Sequence, residues 1–381
     1  MSASSQHHLL FALGGHGGSS IACLELASAL ARAGHDATLL SVVPIERESS
    51  TDGSRGRFER VALSQSFPLE PRSVARVRDR LERAVRRAHR RRTLDLIQVH
   101  YLRPLLHWMV GVSAASVAPI AAVAHGTDLT RASLEECDRL RSLRSAVRYW
   151  IAPSRALTGE VANKVQPRDQ QTIRNGVNLN TFRPAGATQR ETSLVQTTNF
   201  QPWKRPRLAV EAFGALLERW PNATTPPTLE MIGSGPLLDD CQRHARQLGV
   251  DRRITWRPAH PTSAHSYQKH HTYLSTSLLE SFGLAVLEAL ACGLEVVGVH
   301  TDGLADTVGE AGSLLGESDP EALADLLLHT LTTEPDVERA SRQARRFDID
   351  DVVEEWAALT EPSTTLTPMM DGETMRSRAH S

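Results

Sequence analysis

Short apolar runs alternate along the chain with amphipathic segments of helical length, and this alternation limits the folds that the chain can adopt. It predicts strands at 9–13, 37–43, 94–100, 119–124 and 149–152, and again at 194–198, 228–232, 254–256, 273–275 and 295–299. Helices are predicted at 21–33, 208–220, 237–248, 284–292, 320–331 and 352–359. Parallel strands joined by crossover helices produce this order. The sequence therefore predicts an α/β fold with parallel sheets.

The strand–helix pattern occurs in two series, which meet near 180–187 in a segment, NTFRPAGAT, with the composition of an interdomain linker. A chain of 381 residues can form two domains with separate cores, because domains usually have roughly 100–200 residues. We predict Rossmann-like domains at 1–182 and 183–347, a C-terminal helical segment at 348–360, and a disordered polar tail at 361–381.

The formal net charge is −1, but the charge is distributed unevenly along the chain. Residues 1–183 hold 26 Lys and Arg against 16 Asp and Glu, and the remainder holds 17 against 28. Ten arginines lie within 72–92, where apolar residues recur at helical spacing and predict a basic amphipathic helix. A solvated face, an anionic membrane surface and an anionic acceptor are alternative explanations for it. Since arginine replaces lysine almost throughout, as in GC-rich genomes, we do not predict nucleic-acid binding.

The four cysteines are far apart and form no CxxC pair, which favours a reducing compartment over a disulfide framework. The N-terminus lacks the basic region of a signal peptide, and no apolar run reaches the ~18 residues of a spanning helix. The sequence therefore predicts a cytoplasmic protein without integral membrane contact, and it leaves homodimerisation open.

The segment ESFGLAVLEALACG at 280–293 places two carboxylates around an apolar stretch of helical length. Glu280 would lie in the loop after a strand, and Glu288 about one turn into the next helix. The free N–H groups at that helix start attract phosphate, and Gly283 would let a ligand approach closely. A helix with an acidic N-terminus and a surface glutamate is the simpler alternative.

Two further glycine-rich turns join a strand to a helix, GGHGGSS at 14–20 and GSGP at 233–236. The first is not a GxGxxG motif, and no acidic residue ends the second strand, so NAD binding is disfavoured. Both turns could serve packing alone.

Polar residues also follow predicted strands in AHGTD at 124–128 and in NFQPWKR at 199–205. Open α/β sheets bind ligands at the carboxyl ends of their strands. His125 and Asp128 lie in the first segment, and the adjacent cations Lys204 and Arg205 suit a diphosphate leaving group. A structural histidine and a surface turn are the alternatives.

Two apparent metal motifs have a simpler explanation. Asp348 and Asp350 form a DxD, but they precede a helix and suit its N-terminal cap. Four histidines cluster in sequence without a cysteine or acid to complete a ligand set, namely His260, His265, His270 and His271. We therefore predict neither a metal site nor a cofactor.

Taken in order, these motifs resemble those of the retaining glycosyltransferases of family four from about Leu9 to Leu359. The pair Glu280 and Glu288 followed by Ala-Cys-Gly is their most specific feature. VHY at 99–101, HGTDLT at 125–130 and the NFQPWKR segment look most like the N-acetylglucosaminyl malate synthases. The resemblance implies the GT-B fold, in which two Rossmann-like domains face each other across a cleft. Residues 1–182 would hold the acceptor, 183–347 the nucleotide sugar, and the helix in 348–360 would pack back on the first domain.

The resemblance also implies roles for individual residues. Glu288 would bind the ribose hydroxyls and Glu280 those of the transferred sugar, while Lys204 with Arg205 would neutralise the departing diphosphate. His125 would stabilise charge near the anomeric carbon. The other implied donor-side residues are Gly17, Gly18, Asn199, Gly233, Gly235, Phe282, Gly283 and Leu284, and the acceptor-side residues are Ser19, Tyr101, Thr127 and Asp128. Family members use no catalytic metal, and the leaving phosphate takes the acceptor proton without a protein nucleophile.

Four local differences from the family pattern leave the substrates open: Arg174 and Asn178 in RNGVN, Gln201, Glu295, and the 302–306 turn. The prediction is a retaining transferase that moves a hexosyl or N-acetylhexosaminyl group from a nucleotide-diphosphate sugar, such as UDP-GlcNAc, to a small polar acceptor. The basic first half favours an anionic acceptor. Alternatives are a glycosylation step of aminocyclitol or aminoglycoside-type secondary metabolism, a UDP-sugar epimerase, and a non-catalytic nucleotide-sugar-binding protein.

Overall fold

The computed structural model describes residues 5–15, 17–46, 54–65, 71–112, 116–185, 191–221, 225–258 and 264–360. The strands of its first sheet are β1 His7–Ala12, β2 Asp36–Ser41, β3 Phe58–Ala62, β4 Leu96–His100, β5 Ile120–Val123, β6 Tyr149–Ala152 and β7 Gln170–Thr172. The helices between them are α1 Gly18–Ala33, α2 Pro71–Arg91, α3 Leu105–Gly111, α4 Thr127–Thr130, α5 Leu134–Ser142 and α6 Arg155–Val165.

The strands of the second sheet are β8 Ser193–Thr197, β9 Thr228–Ile232, β10 Ile254–Arg257, β11 Thr272–Ser275, β12 Glu295–Val299 and β13 Gly312–Leu315. Its helices are α7 Pro206–Arg219, α8 Leu238–Gln247, α9 His265–Gln268, α10 Leu284–Ala291, α11 Asp302–Val308, α12 Pro320–Leu331 and α13 Val337–Arg345, and α14 Ile349–Ala358 follows.

Both sheets are parallel, which confirms the predicted α/β class. Within the described residues, the strand orders are β3-β2-β1-β4-β5-β6-β7 and β10-β9-β8-β11-β12-β13. Each order reverses direction once, at β1/β4 and at β8/β11. Such a reversal opens a crevice at the carboxyl ends of the strands, where doubly wound sheets bind ligands.

The predicted strands correspond to the central strands of the two sheets and to the edge strand β10, with ends that agree within two residues. Three strands escaped prediction, namely β3, β7 and β13. They lie at sheet edges and are partly exposed, so they lack the continuous apolar run of a buried parallel strand.

Apolar side chains cover both faces of each sheet. In the first domain, α2 packs Val77, Leu81 and Val85 onto one face, and α1 packs onto the other. The arginines of α2 lie elsewhere on that helix. Arg80, Arg83 and Arg87 border a groove of about 450 Å³ against β2 and β3.

The helix α14 lies on the first sheet although it follows the second in sequence. Val352, Val353 and Trp356 belong to the core cluster that contains α1 and β1. Two backbone hydrogen bonds link the segment before α14 to Val177. Val177 N–H donates to the Phe347 carbonyl at 2.9 Å, and Ile349 N–H donates to the Val177 carbonyl at 3.1 Å. The Asp348 side chain accepts from Asp350 N–H at 3.2 Å, which confirms it as the N-cap of α14.

The predictions for 361–381, and that for His260, lie outside the described residues. All four cysteines are buried, and none of them forms a disulfide within the described residues. Across the residues that the structure describes, no helix combines the length and apolar character required to cross a membrane.

Candidate functional site

The carboxyl ends of the two sheets border a shared cleft. A cavity of about 720 Å³ is lined from the first domain by the loops after β1, β4 and β5, the first part of α6 and Asn175, and from the second by the loops after β8, β11 and β12. A smaller cavity of about 210 Å³ continues from it along β8, β9 and α10. The larger one contains these predicted residues: Gly17, Gly18, Ser19, Tyr101, His125, Thr127, Asn199, Lys204, Glu280, Phe282, Gly283 and Leu284.

Two helices from opposite domains begin at these cavities. The N-caps are Gly17 for α1 and Gly283 for α10, and both line the larger and the smaller cavity. Neither helix has a side-chain cap or an acidic residue in its first turn. Gly283 has φ +85°, and a Cβ there would lie 2.8 Å from Leu304 Cδ1, so a larger residue would strain the turn. Exposed N–H groups at both helix starts favour an anion between them.

Lys204 and Glu280 form an ion pair in this region. The Nζ of Lys204 donates to Oε2 of Glu280, and both side chains are about four-fifths buried, with 22% and 17% exposed. Lys204 is the last residue of a short 3-10 turn. Its backbone carbonyl accepts a hydrogen bond from Thr276 Oγ1 at 3.0 Å. Leu278 N–H donates to the Trp203 carbonyl at 2.8 Å. These bonds connect the loops after β8 and β11, so the cation and the carboxylate are held side by side.

Glu288 lies one turn into α10, as predicted, and borders the smaller cavity. Its carboxylate is 4% exposed and accepts from the Tyr267 hydroxyl at 3.0 Å. Burial, together with the neighbouring Glu288 charge, raises the pKa of Tyr267 well above its usual value, so the phenol stays a donor. Gly233, at φ +143°, and Asn199 line the same cavity.

His125 lies just after β5, at the cleft wall. Its backbone N–H donates to Asp128 Oδ1 at 3.0 Å, and its ring is half-buried. Burial lowers the pKa of His125 to about 4, so the ring is neutral near neutral pH. Tyr101, with φ +93°, brings its hydroxyl within 3.5 Å of Thr127 Oγ1.

Three predicted site residues border neither cavity, and each has another function. Asp128 is fully buried and accepts from Leu102 N–H at 2.8 Å as well as from His125, so it positions two loops and is shielded from an acceptor. Arg205 donates through Nε to the Thr276 carbonyl at 3.0 Å and also binds Ser318. Gly235 permits close packing, because a Cβ there would lie 1.9 Å from the Asn199 carbonyl oxygen.

Contacts across the cleft involve residues that were not among the predicted site residues. The hydroxyl of Ser281 donates to the His125 carbonyl at 2.6 Å. The guanidinium carbon of Arg131 lies 4.6 Å from the centre of the Trp203 ring. Ser281 and Trp203 carry no motif of their own, and only their positions beside Glu280 and Lys204 could have indicated them.

Two family models match the chain, one for each domain. "Glycosyltransferase Family 4" matches residues 16–181, and "Glycosyl transferases group 1" matches residues 180–347. The two matches meet at the predicted linker and together cover both domains.

The chain is also similar to named enzymes. The chain is 26% identical over 346 residues to N-acetyl-alpha-D-glucosaminyl L-malate synthase of Bacillus anthracis, covering 84% of this chain and 85% of the relative. A D-inositol 3-phosphate glycosyltransferase of Frankia alni is 33% identical over 179 residues, which cover 42% of this chain and 44% of that protein.

Solved structures share the fold at low sequence identity. A crystal structure of Anabaena HepE in complex with UDP and glucose superposes with a TM-score of 0.71 at 16% identity, covering 92% of this chain and 98% of that one. Sucrose-phosphate synthase from Thermosynechococcus elongatus superposes with a TM-score of 0.72 at 18% identity, covering 93% and 98%. These likenesses confirm the predicted GT-B architecture of two Rossmann-like domains.

Proposed function

Since the chain belongs to the family 4 glycosyltransferases with the GT-B fold, we propose that it transfers a hexosyl or N-acetylhexosaminyl group from a UDP-sugar to a small polar acceptor, with retention of configuration. The observation that carries this proposal is the convergence of two uncapped helix starts and Lys204 on one cavity. Gly17 and Gly283 bring N–H groups from opposite domains toward the same space. A diphosphate bound there would be stabilised from both sides.

The smaller cavity is suited to the nucleoside. Glu288 is a buried carboxylate already oriented by Tyr267, and a pair of vicinal ribose hydroxyls can donate to such a group. UDP is our choice of nucleotide because the fold also occurs in HepE, which has been crystallised with UDP and glucose. Ile232 and Gly233 also line this cavity, and a base would bind beside them.

The departing diphosphate requires charge neutralisation, which Lys204 would supply next to the α10 helix start. In the retaining reaction, a bond forms between the acceptor oxygen and the anomeric carbon on the face from which the phosphate oxygen leaves. That phosphate oxygen takes the acceptor proton. The ion pair with Lys204 and the Ser277 hydroxyl at 3.4 Å hold Glu280 as an acceptor for sugar hydroxyls rather than as an attacking group. We propose no metal in this step.

The acceptor would bind on the first-domain side of the larger cavity, where Ser19, Tyr101 and Thr127 supply hydroxyl groups. Among the described residues, Lys204 is the only lysine or arginine that lines this cavity. The arginines of α2 instead border the separate groove at β2 and β3. A polyhydroxylated acceptor therefore fits the cleft, and an anionic one would have to share Lys204 with the diphosphate.

The function can be tested directly by incubating the full chain with UDP-GlcNAc or UDP-glucose and an acceptor panel. The panel contains L-malate, inositol 3-phosphate, and neutral inositol and aminocyclitol as uncharged counterparts. We expect acceptor-dependent release of UDP and a glycoside whose NMR coupling constant shows the anomeric configuration of the donor. An inverted product, a donor epimer formed without acceptor, or UDP-sugar binding without turnover would overturn the proposal.

Glu288→Gln tests the nucleotide assignment independently of the acceptor. The substitution keeps the shape but removes the charge that the ribose hydroxyls would contact, so we expect UDP to bind about tenfold more weakly. Calorimetric titration with UDP measures the change. Glu354→Gln, on the exposed face of α14, is the matched control. An unchanged Kd for Glu288→Gln would contradict the nucleoside site.

A further inference from the structure

A continuous row of buried polar side chains crosses the first domain from α14 to the cleft. Each neighbouring pair is hydrogen-bonded: His125 Nε2 to His100 Nδ1 at 3.1 Å, His100 Nε2 to Gln98 Oε1 at 3.1 Å, Gln98 Nε2 to His8 Nδ1 at 3.1 Å, His8 Nε2 to Gln6 Oε1 at 2.9 Å, and Gln6 Nε2 to the Ala357 carbonyl at 3.0 Å. We call this set the polar row.

The polar row occupies positions at which a parallel sheet normally has apolar residues. His8 lies on β1 and Gln98 on the adjacent β4, in the same register face as Leu10 and Leu96. His8 and Gln98 are fully buried, and His100 is 3% exposed. Burying such groups costs free energy unless each finds a partner, so the complete pairing is what makes the row tolerable.

The far end of the row sets the direction of its hydrogen bonds. The Ala357 carbonyl can only accept, so Gln6 must turn its amide N–H₂ toward α14 and its carbonyl oxygen toward His8. His8 then donates from Nε2. Because burial lowers the pKa of His8 to about 3, its ring is neutral and its Nδ1 is an acceptor.

The same logic continues to the cleft. Gln98 donates to His8 Nδ1, and therefore its Oε1 accepts from His100 Nε2. Burial holds the pKa of His100 well below its usual value, so His100 is also neutral and its Nδ1 accepts. The hydrogen between His100 and His125 must then belong to Nε2 of His125.

His125 is thereby left with a lone pair on Nδ1. Within the described residues, the hydrogen bonds of His125 involve its N–H, its carbonyl and Nε2, and the residue lines the larger cavity. We propose that the polar row is a positioning device that fixes His125 as the Nε2–H tautomer, so that Nδ1 accepts a hydrogen bond from a hydroxyl of the bound sugar. His100, Gln98, His8 and Gln6 are positioning residues.

This inference deepens the proposed function and rests on it for the identity of the ligand. It changes the role predicted for His125, because a neutral ring with a lone pair facing the sugar orients a hydroxyl rather than supplying positive charge. It also gives α14 a role at the active site. Trp356 of that helix lies 6.1 Å from the His100 ring, centre to centre, so α14 both covers the row and provides its terminal acceptor.

The tautomer can be measured without any substrate, by recording long-range ¹H–¹⁵N spectra of the full chain labelled with ¹⁵N-histidine. The His125→Asn spectrum identifies the His125 signals among the 16 histidines. We expect the Nε2–H pattern for His125 at pH 7. An Nδ1–H pattern overturns the inference, whatever the enzyme's donor is, so this result is separable from a failure of the proposed function.

Variants of the positioning residues test whether the row causes the tautomer. Gln98→Met and His100→Leu remove the directing groups, and we expect a mixture of His125 tautomers and about a tenfold loss of kcat/KM for the UDP-sugar. UDP itself should bind as before, which also shows that the variants are folded. His100→Asn keeps an oxygen acceptor where Nδ1 lies, so it should retain the Nε2–H pattern and most activity.

Thr38→Val is the matched structural control. It removes another buried hydrogen bond in the same sheet, the 3.0 Å bond between His7 Nε2 and Thr38, outside the polar row. We expect no change in the His125 spectrum. If Gln98→Met and His100→Leu gave spectra and kcat/KM values like those of Thr38→Val, the polar row would be structural only.

Discussion

The two domains have the same sheet topology around their switch points, but they present different chemistry to the cleft. The second domain provides the charged side chains Lys204, Glu280 and Glu288. The first provides hydroxyl groups and a histidine whose pKa of about 4 keeps it neutral, together with Glu160 at the larger cavity, paired with Lys164, and Glu46 at the smaller one. The cation lies on the side where a diphosphate would leave, and hydroxyl groups and a neutral imidazole lie on the side where sugar and acceptor hydroxyls would be oriented.

The buried polar clusters of the two domains also differ in charge. In the first domain, the polar row is uncharged and crosses the centre of the sheet. In the second, Glu230 on β9 is 5% exposed and pairs with Arg257, Lys269 and His270. An uncharged row can transmit a hydrogen-bond direction, whereas a charge cluster mainly holds its members together.

Removing the positive charge of Lys204 should have the largest effect on catalysis. We expect Lys204→Ala to lower kcat/KM by about 10²–10³, because the leaving diphosphate loses its nearest cation. The measurement is the steady-state rate of UDP release with a saturating acceptor. Arg207→Ala is the matched control, since this arginine is 52% exposed and pairs with Glu211 on the outer face of α7. Equal rates for the two variants would contradict the leaving-group assignment.

Disturbing the contact between the two domains at Gly126 should have an intermediate effect on catalysis. A Cβ on Gly126 would lie 2.6 Å from Ser281 Oγ of the opposite domain, and the φ of +117° is strained for alanine. We expect Gly126→Ala to lower kcat about 10- to 100-fold through misplacement of His125 against the sugar. The Kd for uridine, which lacks the diphosphate, should stay within about threefold, because the proposed nucleoside contacts belong to the second domain.

Gly159→Ala is the control for that experiment. Gly159 lies in α6 with no heavy atom within 4 Å of an added Cβ, so alanine should be accepted and stabilise the helix slightly. A fall in kcat for Gly159→Ala as large as that for Gly126→Ala would show that the contact between Gly126 and Ser281 has no special role.

Lowering the pH should destabilise the two domains in different pH ranges, and this is the smallest of the expected effects. The buried rings of His8 and His100 have folded-state pKa values below the unfolded value, so the unfolded chain binds more protons and stability falls as pH decreases below about 6.5. Each contributes roughly 1 kcal/mol per pH unit over that window. Thermal unfolding followed between pH 7 and pH 4.5 measures the loss.

Glu230 should respond in a lower window. Burial raises its pKa, but hydrogen bonds from His270 and Lys269 outweigh burial and bring it to about 2. Its stabilisation is therefore present above about 4.5 and is lost as pH falls toward 2. Gln98→Met would leave both histidines neutral in the folded state and should keep the upper-window slope. Equal slopes for His100→Leu and wild type would contradict the assignment to His100.

Much of the candidate site was predictable from local sequence. Lys204, Glu280 and Glu288 follow strands or start helices in recognisable segments, and the structure brings Lys204 and Glu280 into contact as neighbours of one cavity. The family resemblance implied an acceptor-side role for Asp128 and a diphosphate role for Arg205. Their actual partners are backbone groups of Leu102 and Thr276, and such distant contacts leave no local pattern in the sequence.

Local sequence is enough to predict the alternation of strands and helices, the division into two series and the polar residues after the strands, because these depend on periodicity and on turn chemistry over a few residues. The tertiary structure alone decided which polar residues face the cleft, and it aligned Gln98 and His100 with His8 on the adjacent strand. The family resemblance implied that the 348–360 helix packs on the first domain, but only the folded structure shows that the Ala357 carbonyl of that helix ends the polar row. Hydrogen-bond direction depends on partners up to 351 positions apart, and only folding brings them together.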